Sequence, residues 1–282
     1  MDVMTLIGVG LLTGVTTVLF GFGGGFVAVP VVVWADAALG GDAMRVATAT
    51  SALVMVVNAG FATAVTPRRV LVALRGSRAL LLLLAAGASA GALATRLAPA
   101  GQVRWAFVAY VALTVADLLL RPGFLRASGP DGSGRSDGPG GSDCSDGSVS
   151  DAPRPLPAVL GAPVGAVAAF LGVGGSVMTV PAMRRAGHPM RTATALANPL
   201  TLAIALPATA VSLGTAAVPA ATDAHVHLAG LVDVRAASAL LLGALPVIAI
   251  LRRRPPRIPD RAHAWAYIGL LTVVTVAMLR PA

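Results

Sequence analysis

The sequence is poor in charge, in aromatic rings and in cysteine, and it has no lysine at all. Its one cysteine, Cys144, excludes an intrachain disulfide, and its setting among Gly, Ser and Asp reads as an inert thiol. Charged residues make up 12% of the 282 residues, roughly half the share of a soluble domain. Residues 46–66, 79–95, 192–222, 236–251 and 264–279 contain no Asp, Glu, Lys or Arg. Runs of about 20 such residues cross about 30 Å of hydrocarbon as helices. One globular domain cannot bury so many uncharged helices, so the chain is read as an all-α polytopic protein of the cytoplasmic membrane. No His, Cys or carboxylate pair lies deep in any of these runs. General acid–base or metal-assisted chemistry therefore has no place to act, and no enzyme, metal or cofactor is expected. The first residues are apolar but lack a basic start and an A-x-A site, so no removable signal peptide is expected.

A net charge of +9 would suggest nucleic acid in a soluble protein. Here the basic residues are Arg clustered between apolar runs: Arg68, Arg69, Arg75 and Arg78, then Arg252, Arg253, Arg254, Arg257 and Arg261. Arg at the ends of spans marks cytoplasmic loops, so no nucleic-acid partner is expected. Asp117 and Arg121 stand at i,i+4 spacing and read as a helical ion pair, with a proton-coupling carboxylate as the sharper reading. His225 and His227 could make a metal pair, but no further ligand is in view, and they read as a solvated loop.

What the sequence does have is glycine inside its apolar blocks. LFGFGGGFVAVPVVV, residues 19–33, holds four glycines and a proline, although glycine costs about 1 kcal/mol and proline about 3 kcal/mol in a helix interior. FLGVGGSVMTVPAM, residues 170–183, holds three glycines and a proline. The two blocks align from Gly21 to Pro30 and from Gly172 to Pro181, and each is followed by Met-Arg-x-Ala-Thr-Ala, at Arg45 and at Arg191. Matched blocks in the same order indicate internal duplication. Residues 1–121 and 156–282 are read as the two repeats. Residues 122–155, rich in Gly, Ser, Asp and Pro, are read as a flexible linker.

Loop charge orients the repeats. Residues 67–78 and 252–261 are placed inside, and the acidic 35–42 and the Arg-free 218–228 outside. Spans 46–66, 79–95 and 103–120 then run opposite to spans 192–214, 228–251 and 262–279, which makes the repeats inverted. This assignment leaves Arg96 and Arg104 near the outer face. Each Gly-rich block reads as a re-entrant or broken hairpin with its tip at 21–25 or 172–176, giving about eight hydrophobic segments. A single long span per half, with parallel repeats, is the other arrangement.

Non-helical backbone at membrane depth is tolerated only inside protein or against a wet cavity. Broken helices of opposed repeats commonly aim free N–H groups at an anion near the midplane. The candidate site is therefore the backbone of Gly23, Gly24, Gly25 and Phe26 and of Gly174, Gly175, Ser176 and Val177. Candidate side chains are Ser176, Thr48, Thr50, Ser51, Asn58, Thr194 and Asn198. Arg45 and Arg191 would draw anions to the two mouths. Tight helix packing by small residues is the competing account of the glycines, and back-bonding to the helix is that of each hydroxyl.

The pattern G-x-G-G-G/S-x-x-x-V-P, once per half and each followed by Arg-x-Ala-x-Ala, resembles the TauE/SafE family of permeases, the sulfite exporter or toluene-sulfonate uptake family. The second copy departs with Ser176 for Gly25 and Leu196-Ala197 for Thr50-Ser51. The resemblance implies secondary transport of a small sulfur-containing anion such as sulfite or an organosulfonate, with the halves rocking to give alternating access. A passive anion channel is the nearest rival, and a homo-oligomer is left open.

Overall fold

The computed structural model describes residues 2–74, 77–121, 158–214, 228–254 and 258–279. The 122–155 linker, Cys144, Arg75, Arg257, His225 and His227 lie outside the described residues. The apolar runs are helices: α1 (Val3–Phe20), α2 (Gly25–Ala35), α3 (Ala43–Ala64), a single turn α4 (Arg68–Leu71), α5 (Arg78–Leu97) and α6 (Ala100–Leu120). The second half contributes α7 (Gly161–Leu171), α8 (Ser176–Arg185), α9 (Met190–Leu213), α10 (Val234–Arg253) and α11 (Asp260–Leu279). Among the described residues, α1, α3, α5, α6, α9, α10 and α11 are long and apolar enough to cross a bilayer. The chain is a multi-pass membrane protein. Its outer faces carry Leu82, Leu113, Leu242 and Val273, each about two-thirds exposed or more, a surface that suits lipid rather than water.

Element ends follow local chemistry. α6 and α9 start directly after Pro99 and Pro189, where a missing N–H costs nothing. The span expected to start at residue 228 starts later. Leu228–Ala229 (β1) and Val232–Asp233 (β2) pair as a two-stranded ribbon, and the Asp233 side chain then caps α10 by accepting the Arg235 and Ala236 N–H groups at 2.8 and 3.2 Å. Asp117 pairs with Arg121 at 2.9 Å, as its spacing predicts, and also holds Arg185 on α8.

Two basic side chains are more buried than the sequence suggests. Arg184, in the last turn of α8, is 3% exposed and meets Asp260 at 3.0 Å. His263 is 4% exposed and its Nε2 lies 2.6 Å from the Leu19 carbonyl. Arg104, anomalous by the loop-charge rule, has a structural task. Its Nε and Nη2 donate to the Met278 carbonyl near the end of α11 at 3.1 and 2.9 Å.

The packing crosses the two halves. α1 lies along α10, α7 along α5, α3 along α9 and α6 along α11. With apolar lipid outside, helix association rests on close backbone approach and interhelical hydrogen bonds. The seams are built accordingly. A Cβ on Gly14 would lie 2.6 Å from the Ala244 carbonyl oxygen, and one on Gly161 would lie 2.9 Å from that of Leu80. α3 and α9 are the most buried of the seven long helices and form the centre.

Candidate functional site

Both Gly-rich blocks break the chain between helices. Gly21 closes α1 and Gly172 closes α7, each in the left-handed conformation, and new helices start at Gly25 and Ser176. These short helices, 11 and 10 residues long, rise about 15 Å at 1.5 Å per residue and do not cross a bilayer. The first N–H groups of a helix have no partner within it. Among the described residues, the amides of Gly24, Gly25 and Phe26 and of Gly175, Ser176 and Val177 find no acceptor, and all six residues are buried. The proline in each block, Pro30 or Pro181, stands sixth in its helix. Lacking an N–H, Pro181 frees the Val177 carbonyl four residues back. The fully buried Tyr267 hydroxyl donates to that oxygen at 3.4 Å and to the Ser176 carbonyl at 3.3 Å.

The two breaks are neighbours. A Cβ on Gly174 would stand 3.5 Å from the Phe22 carbonyl oxygen. Met55 of α3 and Thr201 of α9 crowd both Gly23 and Gly174, within 3.0 to 3.3 Å of where a Cβ would be. Each break leans on the other half's long helix. Gly21 abuts Thr194 and Ala197, while Gly172 abuts Thr48 and Ser51. Ser51 Oγ donates to the Gly172 carbonyl at 3.0 Å and Thr201 Oγ1 to that of Gly21 at 3.4 Å. The scarce aromatics gather here as well. Phe22 stacks on Phe26 at 5.1 Å and lies 5.1 Å from Tyr267.

The candidate hydroxyls divide. Thr48, Ser51 and Thr194 donate to carbonyls of their own helices. Thr50 Oγ1 turns to β2, accepting the Asp233 N–H at 2.9 Å. Asn198 Nδ2 donates to Thr194 at 3.3 Å. Asn58 and Ser176 are different. Both are fully buried, and neither the Asn58 amide atoms nor Ser176 Oγ has a partner among the described residues. Bare buried polar atoms cost about 1–3 kcal/mol each. Asn58 Nδ2 lies 2.8 Å from where a Gly24 Cβ would be, with Thr13 and Thr17 beside it. Donors without acceptors, grouped at the start of a short helix, suit an anion.

Arg45 and Arg191 line two different cavities. Arg45 is tied down, with Nη1 3.1 Å from Asp42 and Nη2 donating to the Ala98 carbonyl at 3.0 Å. The cavity it shares with Thr48, Thr95 and Arg96 is about 20 Å³, room for about one water. Arg191 lines a cavity of about 410 Å³ with Thr192, Thr194, Arg252 and His263. Between α2 and α3, Asp36 is 4% exposed. Burial first, and the Asp233 carboxylate second, push its pKa up to about 7. Among the described residues no group of His, Cys, Asp or Glu could hold a metal ion.

Sequence reasoning missed Met55, Thr201, Tyr267 and Arg252. Met55 and Thr201 stand ten residues after Arg45 and Arg191, so extending the repeat register would have found them. Tyr267 and Arg252 carry no such signal.

Six long apolar helices accompany two interrupted segments, α1 with α2 and α7 with α8, in the architecture of a polytopic membrane protein. The family model of the sulfite exporter TauE/SafE matches residues 6–278, nearly the whole chain, and the protein belongs to that family of sulfur-anion transporters. No curated protein and no solved structure matches it.

Proposed function

We propose that the chain is a secondary transporter that moves sulfite or a simple organosulfonate through a central site at the two Gly-rich breaks. In this reading residues 1–121 and 156–282 are inverted repeats. The anion accepts hydrogen bonds from the amides of Gly24, Gly25 and Phe26, from those of Gly175, Ser176 and Val177, and from Asn58 Nδ2 and Ser176 Oγ. The observation that carries the reading is the meeting of two breaks whose leading amides, together with Asn58, lack acceptors among the described residues.

The unequal mouths support alternating access. The Arg45 side is shut by its bonds to Asp42 and Ala98, whereas the Arg191 side holds the large cavity. With Arg-rich loops inside, this conformation is open to the cytoplasm. The moving bodies are mixed helix pairs rather than intact halves, because α1 with α10 and α5 with α7 are seams between halves.

Proteoliposome flux of radiolabelled sulfite and of a simple sulfonate, with and without a pH gradient, tests the reading. Saturable uptake that responds to the gradient is expected. Ohmic single-channel current would make the protein a channel, and no flux of either solute would end the proposal.

A further inference from the structure

The large cavity contains a feature that the central site does not use. Arg252, in the last turn of α10, lines it, and its Nε and Nη2 are buried without a partner among the described residues. Buried guanidinium N–H groups are normally paired, because removing them from water without an acceptor is expensive. Nε–H and Nη2–H project from the same edge of the guanidinium. That edge is the fork that takes two oxygens of one carboxylate, phosphate or sulfur oxyanion.

The surroundings complete a site. Arg191 lines the same cavity and forms no ion pair or side-chain hydrogen bond among the described residues. Thr192 adds a hydroxyl not engaged by any described residue. His263 is no rival donor, since its Nε2 is taken by the Leu19 carbonyl. The cavity wall also touches the first break. Leu19 and Thr194 line it, and the Thr194 carbonyl oxygen lies 2.5 Å from where a Cβ on Gly21 would be. The opposite mouth lacks this arrangement, because Arg45 is occupied by Asp42 and Ala98.

We propose that Arg252, with Arg191 and Thr192, forms a loading site that holds one sulfur oxyanion at the open mouth, one step from the Gly-rich breaks. The inference rests on the reading of the chain as an anion transporter. The fork sets the ligand class: a tetrahedral or pyramidal oxyanion with two oxygens free to face it. A phospholipid phosphate shares that chemistry, and the choice of vesicle separates the two sources.

The test uses full-length protein with Arg252→Gln, Arg252→Lys and Thr192→Val. Flux of radiolabelled sulfite is measured in vesicles of phosphatidylcholine alone and of phosphatidylcholine with one-fifth phosphatidylglycerol. Protection of the protein from thermal unfolding by sulfite is measured separately in detergent. Loss of a bidentate, charge-assisted contact should raise the sulfite KM by about tenfold or more in Arg252→Gln. Arg252→Lys should recover only part of that loss, and sulfite protection should weaken in the same order. An unchanged KM and unchanged protection in Arg252→Gln would overturn the site. So would a substitution that alters only the response to phosphatidylglycerol, which would make the ligand a lipid headgroup. Should Arg252→Gln fail to fold, the Arg252→Lys and Thr192→Val constants decide by the same criteria. Wild-type protein that is protected by sulfite through Arg252 yet carries no flux keeps the site and rejects the transport reading.

Discussion

Arg45 Nη2 and the Ala98 carbonyl meet at 3.0 Å and join the start of α3 to the end of α5. With Asp42 at 3.1 Å on Nη1, this contact ties down the arginine that lines the smaller cavity, and in the proposed cycle it closes that mouth. The equivalent Arg191 makes no such bond among the described residues. Arg45→Ala should therefore loosen this face. In a Cys144→Ser background, Ala49→Cys at the wall of that mouth should react several-fold faster with a membrane-impermeant maleimide once Arg45 is removed. Equal labelling with and without Arg45 would show that the contact is not a closure.

At one matched glycine the two breaks differ in backbone conformation, and the difference predicts unequal tolerance. Gly24 has φ +81° and packs against Asn58 and Thr13, whereas Gly175 has φ −77° and meets the movable tip of Ile204. A Cβ in the left-handed region costs about 1–2 kcal/mol before any clash. Gly24→Ala should abolish sulfite flux and lower thermal stability, while Gly175→Ala should keep most of both. Similar losses in the two variants, compared by flux and by melting in detergent, would refute this.

Asn58 separates binding from stability. Replacing a buried, unpaired amide with an apolar group of similar shape is close to neutral or stabilising. Asn58→Leu should therefore hold or raise the melting temperature while flux falls at least tenfold. A variant that melts earlier would assign the amide a structural role.

Pro181 and Tyr267 should be coupled. Tyr267→Phe leaves the Val177 carbonyl without its donor and should destabilise by about 1 kcal/mol. In Pro181→Ala the restored N–H can satisfy that carbonyl within α8, so the second loss should shrink. A double-mutant cycle on unfolding reads the coupling, and additive effects would exclude it.

Asp36 sets a pH dependence outside the spans. Its carboxyl titrates near 7 when folded and near 3.9 when unfolded. Between those values the folded state holds the extra proton, so this group's contribution to stability falls as pH rises, and levels off above about 7. Asp36→Asn should remove that slope. Melting of wild type minus variant, followed from pH 5 to pH 8, should decline toward neutrality, and a flat difference would contradict the burial argument.

The helices were legible because lipid demands long uncharged runs, and their expected ends shift by only a few residues except at α10. There the Asp233 cap, which no apolar count detects, delays the helix. The breaks were legible because Gly and Pro have strong local meaning. The polar candidates were not separable in advance. Thr48 and Thr194 return to their own helices, Ser51 also reaches the Gly172 carbonyl, and Asn58 keeps both amide atoms bare; rotamer and neighbour decide between these fates. Arg252 was hidden for another reason. A cluster of arginines at a span end looks like a topology signal, and only packing shows which member turns inward.

The lengthwise contacts of α1 with α10 and of α7 with α5 also bear on ancestry and assembly. On the proposed reading of the halves as duplicated repeats, a single copy could bury its close-packed glycines only against the first arm of a second copy. In the present chain both arms are packed across the halves, α1 on α10 and α7 on α5. If it is severed between residues 122 and 155, the two fragments should accumulate in the membrane when made together, and either fragment made alone should be degraded.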